Sequence, residues 1–210
     1  MKNKIIKLIM LAHLSFGLSA SMAVQHIIIV NAGCLDKAIL EAVRSHAERE
    51  LYVSVASTNI SALTGNTMRD IGESAKNVRT SIESRLIVLG KPSQISSMHY
   101  AVMTNEQISV INVQAVNSED IALFTRRLQR LSLRAVASLF GIGSDSDPFC
   151  VMHDYKTLDQ LDRIGINFSP PWGEKFRQAA KAGGLTVRPL FPRQKSGVIN
   201  NTPSIEPDRK

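Results

Sequence analysis

The sequence predicts an α/β fold built as one domain, and three observations carry that expectation. Short runs rich in β-branched residues alternate with longer stretches of helical spacing along residues 24–183. One of those stretches, from about Ser118 to Phe140, is the longest element and is apolar on two sides. The chain has 210 residues and 44% hydrophobic content, enough for a single buried core.

Each element has its own signal. Gln25 to Val30 (QHIIIV), bounded by Asn31 and Gly33, reads as a buried strand. Leu35 to Glu50 places Ile39, Leu40, Val43 and Ala47 on one side of a helix. Leu51 to Ala56 (LYVSVA) alternates and reads as a second strand. A polar stretch follows, and then a helix around Met68 to Val78. Arg85 to Leu89 is a third strand, stopped by Gly90 and Pro92. His99 to Met103 and Gln107 to Val113 are two strands joined by a turn at Thr104-Asn105-Glu106.

The long helix takes Asn117 as its N-cap, and Asp120 adds negative charge to its first turn. Ile121, Phe124, Leu128 and Leu131 form one apolar stripe, and Leu133, Val136 and Phe140 a second. Short helices are expected at Tyr155 to Asp162 and at Gly173 to Lys181. Beyond Gly183-Gly184, Pro189, Pro192, Pro203 and Pro207 stand among few apolar residues, so 184–210 is expected to be a flexible tail. No internal repeat is present.

The first 23 residues have a separate logic. Lys2, Lys4 and Lys7 precede a mostly apolar run from Leu8 to Leu18, and Ser21-Met22-Ala23 offers small residues where a signal peptidase reads. Residues 1–23 are expected to be a signal peptide and the mature protein to be exported, periplasmic or extracellular. The apolar run is short for a permanent anchor, so no integral span is expected after cleavage; an uncleaved interfacial segment is the alternative. Asn31 stands where a lipoprotein box needs an aliphatic residue before Cys34, which argues against lipidation. The chain carries 25 basic and 18 acidic side chains, and the segment removes three lysines and no acid. The mature domain is therefore only mildly basic, and no nucleic-acid partner is expected. Cys34 and Cys150 are the only cysteines, and both a disulfide and two free thiols remain open.

The run Arg134 to Ser144 (RAVASLFGIGS) carries the most information. It can be laid on the zinc-peptidase pattern H-E-x-x-H-x-x-G-x-x-H so that the pattern's glycine falls on Gly141. The three histidine positions then hold Arg134, Ser138 and Ser144, and the glutamate position holds Ala135. Met152 follows in the run Phe149-Cys150-Val151-Met152-His153, where the pattern has its methionine turn. Two histidines four apart on a helix reach one metal ion, and the glutamate takes a proton from metal-bound water. Arginine has no lone pair to give near neutral pH, alanine accepts no proton, and serine hydroxyls are poor zinc ligands.

On Gly141, Cys150 and Met152 the chain resembles the archaemetzincins, with specific marks confined to residues 121–172. The resemblance implies a metzincin-like mixed twisted sheet with packed helices, a long central motif-bearing helix and a small C-terminal subdomain. That family has a cysteine where Asp145 stands, a second at Cys150, and a later pair near Ser169 and Trp172 that helps hold a structural zinc. The resemblance therefore implies loss of the catalytic zinc site and of most of the structural one. It also makes His99, Tyr100, Ala101, Val102 and Met103 the edge strand against which metzincins hold an extended peptide.

Other groupings point less sharply. Arg126, Arg130 and Arg134 line one helix face, with Arg127 alongside, and read as a solvated face rather than an anion site. Ser144-Asp145-Ser146-Asp147 lacks the later glycine and glutamate of a calcium loop and reads as a solvated loop. His153, Asp154 and Tyr155, with Cys150, are a weak metal grouping, and His26, His46 and His99 read as structural. The favoured expectation is a non-catalytic pseudopeptidase that binds an extended peptide or protein with no cofactor. In it, Arg134 pairs with Asp145 or a ligand carboxylate. The alternative is a divergent zinc metallopeptidase using ligands outside the motif, such as His153 and Asp147.

Overall fold

Side-chain alternation in the first and third apolar runs builds the centre of the sheet. The computed structural model describes residues 25–79 and 84–189. Strand β1 (Ile27–Asn31) sends Ile27 and Ile29 to one core and Val30 to another, while β3 (Arg85–Gly90) sends Ile87 and Leu89 one way and Leu86 and Val88 the other. Strands covered on both faces read as near-continuous apolar runs, which is what these segments are. Parallel pairing joins β1 to β2 (Val55–Asn59), β1 to β3, and β3 to β5 (Ile108–Asn112). The fifth strand, β4 (Tyr100–Met103), pairs antiparallel with β5, giving one mixed sheet of order β2-β1-β3-β5-β4.

Helices cover both faces. α1 (Lys37–Leu51), α3 (Ile121–Leu139) and α5 (Pro170–Ala182) contribute to the larger core, and α2 (Met68–Val78) alone closes the smaller one through Met68, Ile71 and Ala75. A capping box starts α2: Thr67 accepts from the Asp70 amide, and Asp70 accepts from the Thr67 amide. The short α4 (Leu158–Arg163) packs on α3 and α5 on α1, and with the segment joining them to α3 they form a smaller C-terminal subdomain.

Several boundaries differ from those expected, each for a physical reason. Leu51 is fully buried and extends the α1 face from Ala47, so the helix takes it; Tyr52, at φ 55°, ends the helix in the left-handed region. The second strand therefore begins at Val55, and only Val55 of its five residues is buried. The cap of α3 is Asp120, whose carboxylate accepts from the amides of Ala122 and Leu123, and not Asn117. Ile121 then falls at the exposed helix start and leaves the apolar stripe. α5 begins at Pro170, because a proline in the first helical turn forgoes an N–H that has no partner there anyway.

The expected tail, 184–210, starts on the packed domain: Leu185 is buried and the Arg188 amide donates to the Tyr52 carbonyl at 2.7 Å. Residues 190–210 and the expected signal peptide lie outside the described residues. No helix among the described residues is long and apolar enough to cross a membrane. Cys34 is exposed and Cys150 buried, and both are free thiols.

Candidate functional site around Arg134 and the sheet edge

α3 carries three arginines that turn inward. Arg127, Arg130 and Arg134 are all buried, and only Arg126 keeps the solvated position expected of the row. Arg127 forms a two-pronged pair with Asp162, Nε to Oδ1 at 2.9 Å and Nη2 to Oδ2 at 2.6 Å, which holds its guanidinium above the usual range. Arg130 donates to the carbonyls of Ile164 and Asp162, and burial lowers its pKa. Arg134 Nη1 donates to the carbonyls of Val151 and His153 at 2.6 and 2.7 Å. The row is a set of clamps that tie residues 151–164 to the long helix. Asp162 carries no sequence signal as a partner, because it lies 35 residues beyond Arg127.

Arg134 therefore does not pair with Asp145, as the sequence suggested. Its charge rests on two carbonyl dipoles and on the face of Tyr155, 4.9 Å from the ring centre. Tyr155 in turn stacks on His99, with centres 5.5 Å apart and planes 3° from parallel, and its hydroxyl lies 3.2 Å from His99 Nδ1. Burial pushes the Tyr155 phenol up to about 12, against the opposing pull of Arg134. Burial, aided by the charge of Arg127, holds His99 below its ordinary value. His99 thus has a specific partner, and residues 99 and 155 bridge the start of β4 to the segment beneath α3.

The remaining motif positions are dispersed. Ala135 is fully buried, Ser138 lies one turn beyond Arg134, and Ser144 is exposed past the helix end. Gly141 has φ +73°, a conformation that disfavours any side chain, and the Ile142 amide donates back to the Ala137 carbonyl. Cys150 and Met152 are buried on either side of the Val151 carbonyl that Arg134 grips. Gly165 permits the close approach of the next segment, since a Cβ there would lie 1.7 Å from the Phe149 carbonyl oxygen.

Asp145, Cys150 and Ser169 do come together. Ser169 Oγ donates to Asp145 Oδ2 at 2.6 Å, and the Ser169 and Met152 amides both donate to Cys150 Sγ. Burial raises the Asp145 carboxyl, but the bonds from Ser169 and the Asp147 amide outweigh it and leave the group below its usual value. Burial pushes the Cys150 thiol up. Asp145 is buried, so the expected solvated loop holds only for its neighbours Ser144 and Ser146. Trp172 stands apart and donates to the Gly143 carbonyl.

The motif positions on α3 lack the donors a zinc ion selects: Arg134 offers only N–H groups and Ala135 nothing. The Asp145–Ser169–Cys150 cluster offers one carboxylate and one thiol, fewer than the ligands of a structural zinc site. His153 Nδ1 lies 3.1 Å from the Asp145 carbonyl, and Asp147 accepts from the Phe149 amide. Among the described residues, no three His, Cys, Asp or Glu side chains converge.

At the sheet edge, the Asn112 amide donates to the His99 carbonyl, so 99 and 112 form a hydrogen-bonded pair. Antiparallel pairs alternate, so Ala101 and Met103 turn their main-chain groups to β5 while Tyr100 and Val102 turn theirs outward. β4 is the last strand of the sheet on this side, and its outer face is unpaired among the described residues. The side chains of Tyr100 and Val102 join the α3 core, and those of Ala101 and Met103 the α2 core.

No family model and no curated protein matches the sequence. Solved structures do match the fold. An archaemetzincin from Methanopyrus kandleri is 16% identical with a TM-score of 0.61, over 79% of this chain and 99% of that one. A zinc-dependent peptidase from Methanocorpusculum labreanum is 12% identical with a TM-score of 0.62, over 71% and 99%. An archaemetzincin from Archaeoglobus fulgidus, complexed with malonate, is 12% identical with a TM-score of 0.55, over the same shares. The fold of this chain, with its five-stranded mixed sheet and its long helix leading to Gly141, is that of the archaemetzincin zinc peptidases.

Proposed function

We propose that the protein is an exported, non-catalytic member of this fold that binds an extended peptide along β4. The observation that carries the reading is Arg134. A side chain that cannot lose its proton is buried at the first metal-ligand position of the motif, tied to the carbonyls of Val151 and His153. A fixed cation there repels a metal ion, while the main-chain groups that hold a strand need no metal. The outward N–H and C=O groups of Tyr100 and Val102 supply that capacity.

The test uses the full chain expressed with export, followed by purification of the mature form. Mass spectrometry is expected to find cleavage after Ala23. After zinc exposure and desalting, well below one zinc per chain is expected, with no chelator-sensitive cleavage of a peptide library. Near one zinc per chain, with cleavage abolished by His153→Ala, overturns the reading in favour of a metallopeptidase using other ligands.

A further inference from the structure

A surface cavity of about 330 Å³ opens beside Ala101, on the α2 side of the sheet and therefore on the face opposite Arg134. Met68, Pro92, Ile95, Met98 and Ala101 give it apolar walls, and Arg69 is the one ionisable side chain lining it. Two of its walls are large apolar side chains left in solvent, with Ile95 99% and Met98 58% exposed. The loop that carries them is not loose. Ser93 and Gln94 donate from their amides to the Gly65 and Asn66 carbonyls, and Asn112 Nδ2 donates to the Ser96 and Met98 carbonyls. A cavity held open by main-chain bonds and walled by exposed apolar groups is built to take an apolar group from outside.

Its position relative to the strand says which group. An antiparallel strand added to β4 would bond to Tyr100 and Val102, and its residue opposite Ala101 would point its side chain to the same face as Ala101. That face holds the cavity. The residues on either side would point to the other face, toward His99, Tyr155 and the fixed charge of Arg134. Arg69 lines the cavity and no carboxylate does, and on the other face the buried Arg134 guanidinium lies over the Tyr155 ring. Charge complementarity then favours acidic flanks on the incoming strand.

We infer that this cavity is a specificity pocket for one apolar side chain, of leucine or methionine size, at the centre of an acidic extended peptide. The inference rests on the strand-binding reading above. The probe is a fluorescent seven-residue peptide with a central leucine flanked by threonine and glutamate, compared with the same peptide carrying a central serine or lysine flanks. The leucine peptide is expected to bind at least about tenfold more tightly than the serine peptide, and lysine flanks to weaken it further. Ala101→Phe, which fills the cavity from the strand side, is expected to lower leucine binding to the serine level; Met98→Ser, a loop change that leaves the sheet alone, is expected to reduce the difference. Val102→Pro removes an outward N–H and keeps the pairing with β5, so it should abolish binding of both peptides. Equal binding of the leucine and serine peptides, still lost in Val102→Pro, overturns the pocket and leaves strand binding standing. No binding, or binding indifferent to Val102→Pro, overturns the strand-binding reading and the pocket with it.

Discussion

Arg134 and Asp145 show how a buried charge is held without an opposite charge beside it. Arg134 is balanced by two carbonyl oxygens and an aromatic face, and Asp145 by a hydroxyl and two amides. Such arrangements add little over well-packed apolar residues but are costly to half-dismantle. Arg134→Met leaves the Val151 and His153 carbonyls short of a donor and is expected to destabilise the protein by about 1–3 kcal/mol in urea unfolding. Arg134→Lys is expected to recover only part of that, because an ammonium can donate to the carbonyls but does not lie on the Tyr155 ring as a planar guanidinium does. Ser169→Ala removes a charge-assisted bond to a buried carboxylate, with an expected loss of about 1.5–3 kcal/mol. If Ser169→Ala is neutral and Asp145→Asn costs the same with or without it, the two side chains are not coupled. The sequence located Asp145, Cys150 and Ser169 through their alignment with family cysteines, but not their mutual bonds. Those bonds join residues 19 and 24 positions apart, and no local pattern encodes them.

At the scale of elements, period and capping chemistry located most helices and strands, and tertiary burial moved their ends. Leu51 has the β-branched and aromatic neighbours of a strand, yet its four-residue spacing from Ala47 put it on the buried helix face. The arginine row failed as a sequence reading for a related reason. A row of arginines spaced by four looks solvated, and only the arrival of residues 151–164 beneath α3 supplies carbonyls and a carboxylate to bury it. Arg127→Met strands Asp162 and loosens the join between α3 and α4. It is expected to cost about 3 kcal/mol, while Arg127→Met with Asp162→Leu recovers most of it. Equal stability of the single and double variants in denaturant titration would remove the pair from the account. Thr67→Ala breaks the capping box of α2 and should cost about 1 kcal/mol; a change below the noise of thermal unfolding would mean that the α2 core alone sets the helix start.

For the whole molecule, the buried imidazole of His46 and the half-buried one of His99 shape the response to mild acid. Burial lowers both His46 and His99; Arg49 and Arg130 add to this at His46, where the Ile166 carbonyl and Glu50 oppose it, and Arg127 adds to it at His99. The unfolded chain takes up these protons more readily than the folded one, so their contribution to stability is full above the ordinary value of 6.5. It is lost as pH falls from there through the lowered folded values. The depressed carboxyls of Asp145, Glu106 and Glu174 act on a separate, lower window, below about pH 4. Tm is therefore expected to drop between about pH 7 and pH 5, and His99→Gln to flatten that slope. An unchanged slope in His99→Gln and in His46→Gln would show that neither ring titrates with folding.

The sequence by itself determined the α/β class, the resemblance to the archaemetzincins and which side chains stand at positions 134, 135, 138 and 144. Those properties follow from side-chain identity and from periodicity along a few turns, which are local. Tertiary structure decided the rest: which carbonyls Arg134 holds, that His99 meets Tyr155, that β4 lies at the sheet edge, and that a cavity opens beside Ala101. The physical reason is range. Hydrogen-bond partners, stacking faces and cavity walls are set by where distant segments come to rest, and a guanidinium, a phenol or a methyl group carries no mark of the neighbour it will meet.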